Sequence, residues 1–242
     1  MSLPKVDLPI YELTLPSTGE VVKVRPFVVK EEKLLLQALS SKDELQIIET
    51  TKQIVNNCIL SPGTINVDKL PFFDVDYLFI ALRAKSVGES ISVNFTCNNK
   101  PDGTNRCAFV FAADINISNV EVENLDIAKT IQLTNSIVVK MKWPAYHVMK
   151  LINDSDDQIT KNVKIIAASI ETIIDGNKTY SPKDYSREEF EAFVEGFTEE
   201  QFRKVKAFVD NFPNFKIVAN NKCPKCGFNH RIEYTDFTSF FT

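Results

Sequence analysis

Residues 89–111 read ESISVNFTCNNKPDGTNRCAFVF and contain the first half of the pattern that decides the fold. Polar and apolar side chains alternate from Ser90 to Phe95, which is typical of a strand with one buried face. The strand runs directly into Cys97. A polar loop with the turn signal Pro101-Asp102-Gly103 follows, and the chain returns at Cys107. The pattern therefore predicts a hairpin with one cysteine at the base of each strand.

The second half of the pattern is the motif Cys223-Pro224-Lys225-Cys226-Gly227. Two residues between the thiolates let both sulfurs face one metal ion at about 2.3 Å, and glycine permits the positive φ that turns backbone N–H groups toward sulfur. One such pair leaves two coordination positions to be filled, so we expect the hairpin cysteines to fill them. The sequence thus predicts a structural zinc site formed by Cys97, Cys107, Cys223 and Cys226.

Two other interpretations of the cysteines stay open at this level. His230 follows Cys226 closely and could replace one thiolate as a ligand. Alternatively, Cys223 and Cys226 could form a redox-active dithiol, although such a motif normally lies at the N-terminus of a helix and Gly227-Phe228-Asn229 is a poor helix start. If zinc binds, four thiolates fill a tetrahedral sphere and leave no position for a catalytic water, so we expect a structural role.

The composition is that of an ordinary globular protein. The chain has 242 residues, of which 44% are hydrophobic and 25% charged, so disorder is not expected. A net charge of -4 argues against binding nucleic acid by phosphate neutralisation. No apolar stretch is long enough to cross a membrane, and the first residues lack the apolar segment of a signal peptide. We expect a cytoplasmic protein with reduced cysteines, in which Cys58 packs in the core.

The remaining patterns predict an α+β fold of helices and antiparallel hairpins. A split zinc-ribbon-like element would join the middle of the chain to its C-terminal part. Because no linker or repeat separates the elements, we expect a single composite domain over 1–242, with a zinc-ribbon-like subdomain built from about 88–112 and 213–236. Further strands are predicted at 10–15, 21–29, 130–133, 136–143, 215–219 and 231–234, with 107–111 as the return strand of the hairpin. Helices are predicted at 30–40, 42–59, from about 74 to 85, at 145–152, at 157–174 and after the capping boxes of Ser186 with Glu189 and Thr198 with Gln201.

The sequence contains no motif typical of an enzyme. It has two histidines, His147 and His230, and seven glycines, and it lacks a phosphate-binding loop, a serine elbow and a zinc-protease motif. We therefore expect a protein without catalytic activity or a small-molecule substrate. Exposed apolar residues are then the candidates for partner contact, namely Pro71-Phe72-Phe73 and the tail residues Phe237, Phe240 and Phe241.

Five parts of the sequence together resemble a known family. They are Leu15-Pro16-Ser17-Thr18-Gly19, then Arg25-Pro26-Phe27 with Lys30-Glu31-Glu32-Lys33, Leu70-Pro71-Phe72-Phe73-Asp74, Arg83-Ala84-Lys85-Ser86-Val87-Gly88-Glu89 and Cys223-Pro224-Lys225-Cys226-Gly227. Their order and spacing, from about residue 8 to the C-terminus, resemble the T4-type bacteriophage baseplate family, which includes baseplate hub subunits and hub assembly proteins.

The resemblance implies an assembly or scaffolding protein, or a minor structural subunit, of the baseplate hub of a contractile-tailed phage. It implies baseplate hub proteins as partners, a place in the host cytoplasm or in the tail baseplate of the virion, and no catalytic residues. Two alternatives stay open. A zinc-ribbon regulator of nucleic acid or polymerase would need a basic face, for which Lys216, Lys222, Lys225 and Arg231 are available. A thiol-redox enzyme would use Cys223 and Cys226.

Overall fold

A computed structural model describes residues 6–60, 65–118, 120–153 and 155–235, and the aromatic tail residues Phe237, Phe240 and Phe241 lie outside these ranges. The described residues form helices and antiparallel strands, which confirms the α+β fold class. They divide into two compact units. Unit 1 comprises the described residues of 1–67, 73–123 and 214–242, and unit 2 those of 68–72 and 124–213. The single composite domain stays a prediction.

The elements are numbered in chain order. The α-helices are α1 Val29–Ser41, α2 Glu44–Cys58, α3 Phe72–Ser86, α4 Gln158–Ser169, α5 Arg187–Glu195 and α6 Glu199–Asp210. The strands are β1 Tyr11–Thr14, β2 Val21–Val24, β3 Ser90–Thr96, β4 Val110–Asn116, β5 Glu121–Glu123, β6 Thr130–Gln132, β7 Ile137–Met141, β8 Ile170–Asp175, β9 Lys178–Tyr180, β10 Asn214–Lys222 and β11 Asn229–Tyr234. Short 3-10 helices cover Val67–Lys69 and Tyr146–Leu151.

The strands within the described residues form four antiparallel sheets. Unit 1 contains the hairpin β1–β2, the hairpin β3–β4 and a three-stranded sheet in the order β11-β10-β5. Unit 2 contains a four-stranded sheet in the order β6-β7-β8-β9. None of the helices in the described part of the chain combines the length and the apolar character needed to span a bilayer.

Side-chain caps fix where several helices begin. Both predicted capping boxes are confirmed, since the hydroxyl of Ser186 accepts a hydrogen bond from the Glu189 N–H at 3.2 Å and that of Thr198 accepts one from the Gln201 N–H at 3.3 Å. Asp157 caps α4 in a similar way. These side chains bond backbone N–H groups that a helix cannot satisfy within its first turn.

The predicted helix over 157–174 is wrong in its second part. Helix α4 ends at Ser169, and the chain continues as strand β8, which pairs with β7 through Val139 opposite Ile173. Isoleucines three and four residues apart fit one face of a helix, but a run rich in β-branched residues also fits a strand. Gly176, with φ of 56°, then makes the turn that returns the chain as β9.

Other element boundaries differ from the predictions in smaller ways. The return strand of the cysteine hairpin begins at Val110 and not at Cys107. The predicted helix at 145–152 is a 3-10 helix, Tyr146–Leu151. Two three-residue strands, β5 and β9, were not predicted, because such short segments carry too few residues to establish a period.

Stretches that carry the family resemblance contact one another inside unit 1. The carboxylate of Asp74, which is fully buried, accepts hydrogen bonds from the backbone N–H and the hydroxyl of Ser17. The hydroxyl of Ser86 accepts a hydrogen bond from the N–H of Phe27 at 2.9 Å. These contacts join α3 to the turn between β1 and β2 and to the segment before α1. Burial raises the pKa of Asp74.

Unit 2 has a core of its own between its sheet and its helices. Apolar side chains from β7, β8, α4, α5 and α6 pack together there, as the alternating and helical patterns of these elements require. The buried members are Leu133, Val139, Met141, Val163, Ile166, Ala167, Ile170, Ile173, Phe190, Val194, Val205 and Phe208.

Candidate metal centre

Two hairpins of unit 1 carry the four cysteines of the predicted site. Cys97 follows strand β3 directly, and Cys107 lies shortly before β4 begins at Val110. Cys223 follows β10, and Cys226 lies shortly before β11 begins. Each hairpin therefore places one cysteine after its outgoing strand and one before its returning strand, as the sequence predicts.

The structure brings the four sulfur atoms together. All four Sγ atoms lie within 4.8 Å of one another. The Sγ atoms of Cys97 and Cys226 are 3.6 Å apart, and those of Cys107 and Cys223 are 3.9 Å apart. Four sulfurs bound tetrahedrally at about 2.3 Å from one zinc ion lie about 3.8 Å from each other. The cluster could therefore hold a metal ion, and it is compatible with a zinc-ribbon-like element.

Both cysteine hairpins are closed by the same backbone hydrogen bond. The N–H of Cys97 donates to the carbonyl of Phe109 at 2.9 Å. The N–H of Cys223 donates to the carbonyl of Phe228, also at 2.9 Å. In each half, the acceptor is the second residue after the second cysteine, so the two halves are closed at equivalent positions.

A second hydrogen bond repeats in the two halves and involves a residue with positive φ. Ala108, with φ of 51°, donates its N–H to the carbonyl of Cys97 at 3.0 Å. Gly227, with φ of 75°, donates its N–H to the carbonyl of Cys223 at 2.9 Å. The first half is therefore built like the second, with the loop 98–106 inserted between its cysteines.

The inserted loop has its own internal hydrogen bonds. The carboxylate of Asp102 accepts from the N–H groups of Thr104 and Asn105 at 3.0 and 2.7 Å. A hydrogen bond from the Asn105 side chain, together with these two, lowers the pKa of Asp102 to about 2. The N–H of Cys107 donates to the carbonyl of Asn99 at 2.7 Å, which sets the end of the loop beside its start.

The surroundings of Cys97 and Cys226 shift the pKa values of their thiols in opposite directions. Burial raises the pKa of Cys97, which is fully buried. Hydrogen bonds from the backbone N–H of Phe228 and from the side-chain amide of Asn99 lower the pKa of Cys226 to about 6. The Asn99 nitrogen is 3.6 Å from the Cys226 sulfur. Donors to a thiolate stabilise the form of cysteine that binds metal.

His230 lies beside the cluster without being a member of it. Its Nε2 atom is 3.1 Å from the Sγ of Cys97, and the residue is 5% exposed. The rings of Phe95 and Phe228 pack against its imidazole at 5.0 and 4.8 Å between centroids. Among the described residues, the possible ligand atoms that all lie near one another are the sulfurs of the four cysteines. His230 is not part of this group. If Cys97 binds metal as a thiolate, it has no proton to donate, and the hydrogen bond then comes from the Nε2–H of His230.

The basic face that a nucleic-acid regulator would need is partly neutralised. Lys216 Nζ lies 3.1 Å from a carboxylate oxygen of Glu123 and 3.3 Å from one of Glu233. Arg231 is paired with Glu233 at 3.1 Å. Two of the four cations proposed for that face are therefore held in ion pairs, which weakens this alternative.

The Cys-x-x-Cys motif does not have the setting of a redox-active dithiol. Cys223 and Cys226 occupy the turn between two antiparallel strands, β10 and β11, and no helix begins there. A dithiol of the helix-starting type gains its reactivity from the N-terminal end of a helix. The neighbours of this pair are the two cysteines of the other hairpin.

Residues outside the cluster resolve two further expectations. Cys58 is fully buried in α2, as expected for a core residue, and burial raises its pKa to about 11. Phe73, which was a candidate for an exposed partner contact, is fully buried. The sequence pattern missed this burial because Phe72 and Phe73 open a helix that is apolar on most of its surface.

The comparison with known families agrees with the resemblance in the sequence. A sequence model of the family described as T4 bacteriophage base plate protein matches residues 8–242. The chain belongs to this family of phage baseplate proteins. Neither a curated protein nor a solved structure matches it.

Proposed function

We propose that the chain is an assembly protein or a minor structural subunit of the baseplate hub of a contractile-tailed phage. It acts by binding other hub proteins and catalyses no reaction. The observation that carries this proposal is the family match over residues 8–242, which spans both compact units. A protein of this kind works through its surface, and its fold must hold that surface in place.

We also propose that Cys97, Cys107, Cys223 and Cys226 bind one zinc ion with a structural role. Sulfur spacings of 3.6 and 3.9 Å between the halves support this ligand set, because they are close to the edges of a zinc–thiolate tetrahedron. When bound, zinc would link the two hairpins through four metal–sulfur bonds. Since two ligands come from 97–107 and two from 223–226, the ion would join the middle of the chain to its C-terminal part.

The functional proposal is tested by genetics and by binding. The gene is removed from the phage, and the lysate is examined by electron microscopy for finished tails and free baseplates. We expect assembly to stop before a complete baseplate forms. In parallel, the purified zinc-loaded chain is mixed with proteins dissociated from purified baseplates, and binding is measured by biolayer interferometry.

The outcomes of these experiments are distinct. Normal numbers of infectious particles without the gene, together with no binding to baseplate proteins, would contradict the proposal. If the gene is needed, the amount of the chain in purified virions decides its role. A fixed number of copies for each virion identifies a permanent subunit, whereas absence from virions identifies an assembly factor that leaves.

A further inference from the structure

Unit 2 contains an apolar concavity between its sheet and helix α5. It has a volume of about 290 Å³. Ile137 and Ile173 form its floor on the sheet side, and Phe193 lines it from α5. The rings of Tyr180 and Tyr185 lie 5.5 Å apart at its side, and Tyr185 is 40% exposed. Large apolar and aromatic groups thus face an open cavity here.

A second apolar concavity lies where α4, α5 and the start of α6 meet, with a volume of about 330 Å³. Val163, Phe197 and Phe202 contribute to its walls. Ile159, in the first turn of α4, also lines it and is 70% exposed. Ile159 therefore extends the apolar lining of the cavity onto the surface, and a contiguous exposed apolar patch marks a surface that another protein covers.

One aromatic contact links the two concavities. Phe193 lines the first and Phe197 lines the second, and their rings meet edge to face with centroids 4.9 Å apart. We call the two concavities together with this pair the α5 surface. It offers two pockets for apolar anchors beside a shared pair of rings, which is the usual layout of an energetically important contact.

Carboxylates surround the α5 surface. Asp175 and Glu189 line the first concavity, and Glu195 and Glu199 line the second. Among the described residues that line either concavity there is no lysine, arginine or histidine. An apolar centre with a rim of one charge fits a partner of opposite charge, because rim charges select the partner and speed its approach.

We propose that the α5 surface binds an amphipathic segment of another baseplate protein that presents large apolar side chains flanked by lysine or arginine. The apolar side chains would enter the two concavities, and the basic groups would face the carboxylate rim. This inference rests on the proposed function, since it names the surface and the partner chemistry through which the chain acts.

The test uses the full zinc-loaded chain and the proteins dissociated from purified baseplates of the same phage. The variant Glu195→Lys with Glu199→Lys reverses two exposed rim charges without touching the core. The matched control, Glu12→Lys with Glu20→Lys, makes the same change of net charge at exposed positions of unit 1. Since opposed rim charges dominate encounter and selectivity, we expect the rim variant to bind at least about tenfold more weakly and the control to bind within about twofold of the unaltered chain.

A third variant, Ile159→Gln, tests the apolar contribution without changing charge. Its backbone N–H is held by the Asp157 cap at 2.8 Å, so the start of α4 is retained. We expect binding weakened by about fivefold, because a buried apolar contact is lost. Binding of the unaltered chain should also weaken as salt is raised, and this dependence should be smaller in the rim variant.

The outcomes separate this inference from the proposed function. If the unaltered chain binds baseplate proteins and the rim and Ile159 variants bind equally well, the α5 surface is the wrong surface and the proposed function stands. If the unaltered chain binds none of them, this inference is overturned, and removal of the gene then decides whether the proposed function is overturned with it. If the chain alone forms a dimer in sedimentation that the rim variant abolishes, the surface binds a second copy and the assignment to another protein is overturned.

Discussion

The first cysteine half runs from Cys97 to Phe109 and the second from Cys223 to Phe228. In both, the N–H of the first cysteine donates one backbone hydrogen bond and its carbonyl accepts another. The residue after the second cysteine has positive φ in both halves. The halves differ in what separates their cysteines, which is the loop 98–106 in the first and Pro224-Lys225 in the second. The repeated unit is therefore defined by its two backbone hydrogen bonds and not by the number of residues between its cysteines. The longer loop is tolerated because the entropic cost of closing a loop rises only slowly with its length.

The halves also differ at the position with positive φ. Gly227 adopts φ of 75° without steric cost, whereas Ala108 adopts 51° with a side chain. For a residue other than glycine, the left-handed region costs about 1–2 kcal/mol. The first half is thus the more strained one, and its dependence on the other half and on metal should be the greater.

The largest expected effect comes from removing the proposed zinc ion. We expect chelation of zinc to lower the free energy of unfolding by several kcal/mol, because structural zinc binds with apparent free energies of about 10–16 kcal/mol in small zinc proteins. Hydrogen exchange followed by mass spectrometry should show loss of protection in β3–β4 and β10–β11. Slow exchange that persists in both hairpins after chelation would contradict the proposed role of zinc.

The same experiment tests the proposal of a single composite domain. A single cooperative domain would lose protection across 124–213 as well, when zinc is removed. Unchanged protection of 124–213 would mean that unit 2 folds independently of the metal and that the domain proposal is wrong.

The next largest effect concerns His230, which lies in β11 and contacts Cys97 of the first half. We expect His230→Phe to weaken zinc binding by about tenfold, as for loss of a hydrogen bond to a ligand, while one zinc is still bound. His230→Gln, which keeps an N–H donor, should retain more of the affinity. Competition with a chromophoric chelator measures both. Complete loss of zinc in His230→Phe would instead identify His230 as a ligand.

Exchanging the residues with positive φ compares the halves directly. We expect Gly227→Ala to destabilise the zinc-loaded protein by about 1–2 kcal/mol, although its new Cβ would meet only Lys222 at 3.8 Å. Ala108→Gly should be neutral or stabilising by up to about 1 kcal/mol. Relief of the backbone strain is partly offset because glycine raises the conformational entropy of the unfolded chain. Urea unfolding followed by circular dichroism measures both changes.

A matched control for this exchange is Gly176→Ala in unit 2. Gly176 has φ of 56° and open space around its Cβ position, so its backbone cost is similar. It should lower stability and leave zinc affinity unchanged, whereas Gly227→Ala should lower both. Equal zinc affinity in the two variants would show that closure of the second half does not position its cysteines.

The smallest expected effect is on the pH at which zinc is released. Hydrogen bonds from Phe228 and Asn99 lower the pKa of Cys226 to about 6, so protons compete with the metal for this sulfur only at low pH. Asn99→Ala removes one donor and should raise the midpoint of zinc release by about half a pH unit. Asn98→Ala, at the exposed neighbouring position, is the control. A midpoint that is the same in both variants would remove Asn99 from the site.

The cysteine cluster was predictable because a Cys-x-x-Cys motif needs partners and a hairpin supplied a second pair. The backbone closure of the first half was not predictable, since an alanine at position 108 does not indicate a positive φ. The structure shows both this φ and the hydrogen bond from Ala108 to Cys97. The contact of His230 with Cys97 was not predictable either, because it joins residues that are far apart in the sequence. Across α4 and β8, the spacing of the isoleucines fits a helix, but the same residues also fit a strand. Pairing with β7 makes the second part of this segment a strand.

The central claim is that the two halves share one zinc ion, and metal analysis of purified variants tests it most directly. We predict one zinc for each chain in the unaltered protein and in Cys58→Ser, and loss of that zinc in both Cys97→Ser and Cys223→Ser. Zinc retained in Cys97→Ser but lost in Cys223→Ser would contradict the claim, because the second half would then bind metal without the first.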